Sequence, residues 1–408
     1  MEEILLDHQH RLLIRGKLLF LGEGLPLWDG AIEIRGGKIN QIGTFKELKK
    51  QSVRFKLIDL EDLVILPSLT NAHIHLELSP LRLRIPPAGR FIYWVRSIIK
   101  KRDQLSPLEI YESAKLALQE LWREGIGILG EVTNTALTLE VLAHSSFRGY
   151  IFQEILTFRG SCALRELQEI SPNFRVTYSA HAPYSVSPLL LQAIKAFNNR
   201  RGKLFTIHCA ESPEEVEFLK SGKGPFRELL IERGQWQEDF KIPGVSPLKY
   251  LFNLGLLDEK TLLVHGVYLE EEDFEILSRT KAKLCICPKS NLFTGVGLPN
   301  LPKLLQAGVD IALGTDSLAS NDRLSLFEEM KTLKLFYPQV SSLRILEMAT
   351  SLGAKILGIK DGGTIKRGVK PDFIAVEVQG LPEKSLDRAL DSLLLNEKKI
   401  KFKFYVSN

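Results

Sequence analysis

Three histidines and one aspartate have the types and positions expected of a metal site. His73 and His75 are two residues apart, so their side chains point the same way on an extended strand. His208 and Asp316 each follow a short apolar run that predicts a strand. Three imidazoles and one carboxylate form a donor set that suits Zn²⁺ or Fe²⁺ with an open position for water. The sequence therefore predicts one divalent metal held by these four residues.

Two further residues add groups that can handle protons beside such a metal. Glu211 lies three residues after His208, where a strand turns into its loop. His265 ends the apolar run Leu262–Val264. A carboxylate and an imidazole next to an activated water are suited to general acid–base catalysis. We therefore predict a hydrolase in which Glu211, His265 and Asp316 are catalytic.

The elements that must position these side chains alternate between strands and helices. Ser106-Pro107, for example, predicts a helix start, with a capping serine followed by proline at the first helical position. Eight strand–helix units over about 300 residues predict a (β/α)₈ barrel, whose active site lies at the carboxyl ends of the strands. The strand candidates are 64–66, 126–129, 149–152, 175–178, 204–207, 261–264, 283–286 and 310–313.

Short β segments stand on both sides of the predicted barrel, and each is too small for a core of its own. We therefore predict an α/β protein with a TIM-type barrel and one small composite β-sandwich domain built from both chain ends. The predicted boundaries are 1–63 and 361–408 for the β-sandwich domain and 64–360 for the barrel.

His181 stands at the end of the fourth predicted barrel strand, in Ser179-Ala180-His181. A two-metal centre needs a bridging ligand, usually a modified lysine, at that point. Because this strand end has no lysine, the sequence favours a single metal, and we interpret His181 as a substrate contact rather than a ligand.

Composition limits the remaining function classes. The 408 residues carry a net charge of only +5, and short basic clusters such as Lys100-Lys101-Arg102 are interpreted as solvated helix ends, so no nucleic-acid partner is expected. No apolar run is long enough for a membrane span, and the acidic first residues are unlike a secretory signal. Four irregularly spaced cysteines form no disulfide framework. We therefore expect a cytoplasmic protein with a small-molecule partner. The oligomeric state stays open, a homodimer included.

The motifs around these residues resemble the amidohydrolase superfamily. The resemblance is carried by Asn71–His75, His181–Ser185, His208–Glu211, His265–Val267, Cys287–Asn291 and Gly314–Asp316. The run Gly314–Asn321 is most similar to the deaminases of S-adenosylhomocysteine, methylthioadenosine and aminodeoxyfutalosine. The resemblance spans nearly the whole chain. It implies attack of water on an adenine ring and release of ammonia, with Asp316 accepting a proton, Glu211 protonating the ring and His265 stabilising the developing charge.

The segment after His75 departs from the S-adenosylhomocysteine deaminases and is expected to shape the substrate pocket. Within it Arg84 lies near Pro86-Pro87, and arginine pairs well with a carboxylate. This favours aminodeoxyfutalosine, an adenine nucleoside with a benzoate-bearing tail from a menaquinone pathway. Trp94 is predicted as a stacking wall, and Ser320 is taken as a further substrate contact.

Other substrates and roles remain open. An S-adenosylhomocysteine or methylthioadenosine deaminase is the first alternative, and a guanine or cytosine deaminase or a chlorohydrolase would use the same ligands. A non-catalytic scaffold is less favoured, because it would be expected to lack ligands that this sequence retains.

Overall fold

The computed structural model describes residues 1–6, 11–51, 55–87, 89–160, 162–382 and 385–406. The chain forms two compact units, each assembled from separate stretches of sequence. The first unit contains residues 1–71, 119–128 and 325–408, and the second contains residues 72–118 and 129–324.

The strands are numbered in chain order. They are β1 Glu2–Leu5, β2 Leu12–Leu19, β3 Leu27–Arg35, β4 Lys38–Thr44, β5 Lys56–Pro67, β6 Leu69–Ile74, β7 Ile126–Thr133, β8 Arg148–Ile155, β9 Phe174–Ala180, β10 Phe205–Cys209, β11 Thr261–His265, β12 Lys283–Ile286, β13 Ile311–Leu313, β14 Asp372–Val378 and β15 Lys398–Tyr405.

The helices follow the same order, and a short 3₁₀ helix, Leu76–Leu81, follows His75. They are α1 Phe45–Gln51, α2 Phe91–Arg102, α3 Pro107–Arg123, α4 Leu139–Ala143, α5 Pro188–Arg200, α6 Pro213–Ser221, α7 Pro225–Glu232, α8 Pro247–Asn253, α9 Glu271–Thr280, α10 Pro288–Phe293, α11 Leu301–Gln306, α12 Leu326–Phe336, α13 Ser342–Met348, α14 Ser351–Ile356 and α15 Leu386–Leu395.

A seven-stranded sheet forms the core of the first unit, in the order β1-β15-β14-β5-β2-β3-β4. Strands from both chain ends alternate in it, so neither end could bury its apolar face alone. Phe373 and Phe404 stack on neighbouring strands with ring centroids 4.8 Å apart. The predicted composite β domain is confirmed.

The remaining eight strands form the barrel as two four-stranded sheets, β6-β7-β8-β9 and β10-β11-β12-β13. The His208 amide donates to the His181 carbonyl at 2.9 Å, which links β9 to β10. A parallel bridge between Ile74 and Asp316 joins the last strand to the first. The predicted (β/α)₈ barrel is confirmed, and both closures lie at the carboxyl ends of the strands.

One strand assignment is wrong. Residues 64–66 belong to β5 in the seven-stranded sheet, where Val64 lies opposite Leu18 and Val376. The first barrel strand is β6, which starts at Leu69. An apolar run of this length is buried in either sheet, so its pattern does not distinguish them. The break falls at Pro67, which has no amide hydrogen to continue a ladder.

Several barrel helices begin with the predicted serine–proline signal. Glu109 donates its amide hydrogen to Ser106 Oγ at 3.2 Å, which caps α3. Ser187 caps α5 and Ser212 caps α6 in the same way. These caps fix where each strand loop ends and its helix begins. Within the described residues, no helix is both long and apolar enough to cross a membrane.

Candidate active site

The four predicted metal ligands meet at one point at the barrel mouth. His73 Nε2 lies 3.1 Å from His75 Nε2 and 3.2 Å from His208 Nε2. Asp316 Oδ1 is 3.9 Å from His73 Nε2 and 3.7 Å from His75 Nε2. All four side chains are buried. Ring nitrogens this close together, with a carboxylate beside them, have the arrangement of donors around a shared cation.

A hydrogen bond to the opposite ring nitrogen supports this interpretation. His208 Nδ1 lies 2.8 Å from the His181 carbonyl oxygen. A carbonyl can only accept, so Nδ1 carries the hydrogen and Nε2 keeps its lone pair for a metal. Burial lowers the pKa of His75 to about 3, against the opposing charge of Asp316. Burial also lowers the pKa of His73. The imidazoles of His73 and His75 are therefore neutral at physiological pH, as metal ligands must be.

The backbone around Asp316 is held in an uncommon conformation. Asp316 has a φ of +55° and donates its amide hydrogen to the His73 carbonyl at 3.2 Å. Just before it, a side chain on Gly314 would lie 2.8 Å from the same carbonyl oxygen and 2.9 Å from Cys285 Sγ. The Gly-Thr-Asp sequence therefore allows the last strand to approach the first and brings Asp316 to the histidines.

Two serines hold the Asp316 carboxylate from behind. Ser290 Oγ donates to Oδ2 at 2.6 Å and Ser320 Oγ donates to the same oxygen at 3.0 Å. Both serines are fully buried. These bonds occupy Oδ2 and leave Oδ1 directed at the histidines. Ser320, predicted as a substrate contact, is placed by the structure behind the metal site and not on the cavity wall.

Glu211 and His265 form a pair beside the metal ligands. Glu211 Oε1 lies 3.3 Å from His265 Nε2. His265 Nδ1 donates to Asn291 Oδ1 at 2.7 Å when that amide is oriented with its oxygen toward the ring. Burial raises the pKa of Glu211 well above its usual range, and the charges of Asp316 and Glu215 raise it further. The surroundings of Glu211 therefore favour its protonated form.

Glu215, which sequence reasoning did not single out, fixes the turn that carries Glu211. Its carboxylate accepts the amide hydrogen of Ala210 at 3.0 Å and that of Glu211 at 2.8 Å. Ala210 has a φ of +53°, so the turn is tight. The sequence signal that could have identified Glu215 was its position, four residues after Glu211 and at the start of α6.

A cavity of about 500 Å³ opens above these residues. One wall is a chain of aromatic rings in which Trp94 stacks on Phe91, and Phe226 stacks on Tyr184 with centroids 3.7 Å apart. Phe91 and Phe226 meet edge to face. A flat apolar wall beside a few polar groups suits an aromatic heterocycle.

The structure brings two predicted substrate contacts to this cavity and leaves the loop arginine outside it. His181 lines the cavity, and its Nδ1 lies 2.7 Å from Ser185 Oγ. Trp94 also lines it, and its indole donates to the Ala319 carbonyl at 3.0 Å. Arg84 is half exposed and pairs with Glu109 at 2.8 Å, away from the cavity lining.

Two further charged residues belong to the cavity wall, and sequence reasoning missed the first of them. Arg102 lines the cavity, although its basic cluster was interpreted as a solvated helix end. Glu154 lines it too and accepts from Asn134 Nδ2 at 2.8 Å. The helical spacing of the residues before Arg102 could have indicated from the sequence that Arg102 shares their face of the helix.

Comparisons with known proteins agree with this fold. Residues 64–401 match the model of the amidohydrolase family. A 5-methylthioadenosine/S-adenosylhomocysteine deaminase of Thermococcus sibiricus is 28% identical over 387 residues, covering 90% of this chain and 85% of that protein. The structure of Helicobacter pylori aminofutalosine deaminase superposes with a TM-score of 0.82 at 24% identity, covering 97% of this chain and 98% of that one. A Xanthomonas campestris adenosine deaminase with bound zinc gives a TM-score of 0.80 at 22% identity, covering 99% and 92%.

Proposed function

The chain belongs to the amidohydrolase family, and we propose that it is a metal-dependent deaminase that releases ammonia from an adenine nucleoside derivative. The observation that carries this proposal is the convergence of His73, His75, His208 and Asp316 at one cavity, with the buried Glu211 at their side. A carboxyl group that holds its proton near pH 7 suits the protonation of a ring nitrogen and of departing ammonia.

The donor set fits a single divalent ion, and we propose zinc. Three imidazoles and one carboxylate match the ligands of catalytic zinc, and Fe²⁺ is the alternative for such a set. A divalent ion bound here supplies a water molecule whose pKa is lowered to about 7. The zinc of the Xanthomonas campestris relative supports the same choice.

The chain's own residues then divide the proton transfers between them. Asp316 Oδ1 accepts a proton from the attacking water, because Oδ2 is already occupied by two serine hydroxyls. Glu211 donates its proton to the ring nitrogen next to the attacked carbon. The proton taken up by Asp316 then passes through Glu211 to the amino group that leaves. Glu211 recovers its own proton from the added hydroxyl as the carbonyl forms. His265 donates from Nδ1 to Asn291, so its Nε2 is unprotonated and accepts a hydrogen bond from Glu211 or water.

Two adenine nucleosides compete as the natural substrate. The similarity to 5-methylthioadenosine/S-adenosylhomocysteine deaminases over 90% of the chain favours one of their two substrates. Aminodeoxyfutalosine, and with it a step in menaquinone synthesis, is the second candidate. The fold similarity to the Helicobacter pylori enzyme and an arginine on the cavity wall support it. The cytoplasmic location and a homodimer stay predictions.

Ammonia release from a nucleoside panel tests the proposal. The zinc-loaded protein is offered adenosine, methylthioadenosine, S-adenosylhomocysteine and aminodeoxyfutalosine, with guanine, cytosine and a chlorinated triazine as comparison substrates. We expect rapid ammonia release from at least one adenine nucleoside and little from the comparison set. Turnover confined to the comparison set would contradict the proposal and leave a different amidohydrolase reaction at the same site.

A further inference from the structure

One face of helix α2 lines the active-site cavity along its whole length. The cavity residues on this helix are Phe91, Trp94, Val95, Ile98, Ile99 and Arg102. Their spacing of three and four residues places them on one side of an α-helix. This side presents an apolar stripe to the cavity and ends in a positive charge. From Trp94 to Arg102 the helix rises about 12 Å.

Arg102 has no ion-pair partner among the residues that the structure describes, whereas Arg84, Arg90 and Arg96 each face a carboxylate. The neighbouring Asp103 also borders the cavity but is exposed and forms no salt bridge with it in the described part of the chain. A half-buried guanidinium offers a planar set of donors that matches a carboxylate. The Arg102 guanidinium can therefore accept an anionic partner from the cavity side.

Acidic groups also line the cavity, namely Asp103, Glu154, Glu211 and Asp316. None of them forms an ion pair with Arg102 among the residues that the structure describes, and Glu154 accepts from Asn134 Nδ2. A ligand that fills the cavity from the metal outward thus passes along apolar side chains and ends at Arg102.

Arg233 and Gln235 border the same cavity from the segment that follows helix α7. Arg233 is exposed and, like Arg102, has no ion-pair partner in the described residues. The oxygen of Gln235 accepts the amide hydrogens of Phe158 and Arg159 at 3.2 and 3.1 Å. Its amide nitrogen donates to no other group in the part of the chain that the structure describes. A second cation and a donor therefore stand at the same cavity.

We propose that Arg102 is the specificity-determining residue of this site, and that it binds a carboxylate at the end of an apolar substituent on the nucleoside's 5′ position. Arg233 at the cavity rim adds a second, weaker attraction. The inference rests on the proposed function for the identity of the adenine end. It makes the enzyme selective for nucleosides with an acidic 5′ arm over neutral ones such as methylthioadenosine.

A matched pair of ligands tests this directly. The probes are 5′-(4-carboxyphenylthio)-5′-deoxyadenosine and its primary carboxamide, which differ only in the charge of the terminal group. Their dissociation constants are measured by calorimetry on zinc-loaded Glu211→Gln protein, where turnover is suppressed. The same measurement is made with Arg102→Gln and Arg102→Lys added. Arg84→Gln serves as the control, because that arginine pairs with Glu109 away from the cavity.

We expect the acid to bind roughly 10- to 100-fold more tightly than the amide, as a charged hydrogen bond provides. Arg102→Gln should reduce this ratio to about one and leave the affinity for the amide unchanged. Arg102→Lys should retain part of the ratio, because lysine keeps the charge without the bidentate geometry. Arg84→Gln should keep the full ratio.

Equal binding of acid and amide, or a preference that survives Arg102→Gln, would overturn the inference. Loss of both ligands in Arg102→Gln and Arg102→Lys would indicate a structural role and would also overturn it. The proposed function fails separately, when the wild-type enzyme releases no ammonia from any adenine nucleoside while the acid still binds more tightly than the amide.

Discussion

Replacing Glu211 with glutamine tests whether this carboxyl group moves the protons of the reaction. Its Oε1 lies 3.3 Å from His265 Nε2, and burial raises its pKa well above the usual range. Burial therefore favours the uncharged form of this side chain, and glutamine reproduces the size and the lack of charge of that form. Proton transfer by a positioned group contributes about 10²–10⁴-fold to a rate. We expect kcat for ammonia release to fall by about that factor.

The assay compares steady-state ammonia release with zinc content and melting temperature for each protein. Zinc content and melting temperature should match those of wild type, since no charge is buried and no volume changes. Glu217→Gln is the control, because Glu217 lies exposed on the same helix α6. Full activity in Glu211→Gln would refute the reasoning. Loss of zinc would also refute it, by assigning the residue to metal binding.

Three further substitutions probe the support of the site. Ser290→Ala removes the 2.6 Å hydrogen bond to Asp316 Oδ2, so zinc affinity in a chelator competition should fall by about 10- to 100-fold, and unchanged affinity would contradict this. Gly314→Ala places a methyl group 2.8 Å from the His73 carbonyl oxygen. Zinc affinity should fall because the two strands are forced apart. Zinc binding equal to that of wild type would show that the strands can adjust. Burial raises the pKa of Glu215 from 4.5 to about 7 in the folded protein. The unfolded chain therefore releases this proton at a lower pH than the folded protein does. The free energy of unfolding should fall by about 3 kcal/mol as the pH rises from 4.5 to 7. The free energy of unfolding in urea, measured for Glu215→Gln across this pH range, should not show that fall. A pH dependence parallel to that of wild type would contradict the prediction.

Most of the barrel could be predicted because alternating strand and helix patterns are a local signal. The metal ligands could be predicted because each follows an apolar strand, and strand ends meet at one mouth in a barrel. The assignment of residues 64–66 failed because an apolar run does not reveal which of two sheets buries it. The start of β6 at Leu69 depends on pairing partners distant in sequence, which no local pattern contains.

The substrate pocket was harder to predict because it depends on which face of a helix turns inward. Arg84 and Arg102 are both arginines near the predicted pocket segment, and proximity in sequence favoured Arg84. The structure pairs Arg84 with Glu109 and places Arg102 on the cavity wall. The same difficulty applies to Ser320, which lies four residues after Asp316 and contacts its carboxylate from the buried side.

Ammonia release measured against zinc content tests the central claim most directly. Protein stripped with a chelator is titrated with zinc, and deamination of S-adenosylhomocysteine and of aminodeoxyfutalosine is followed at each step. The account predicts no ammonia from the stripped protein and a linear rise that ends at one zinc per chain, because His73, His75, His208 and Asp316 converge on one point. Ammonia release without metal, a rise that continues to two zinc ions per chain, or no release from either nucleoside at full zinc loading would contradict it.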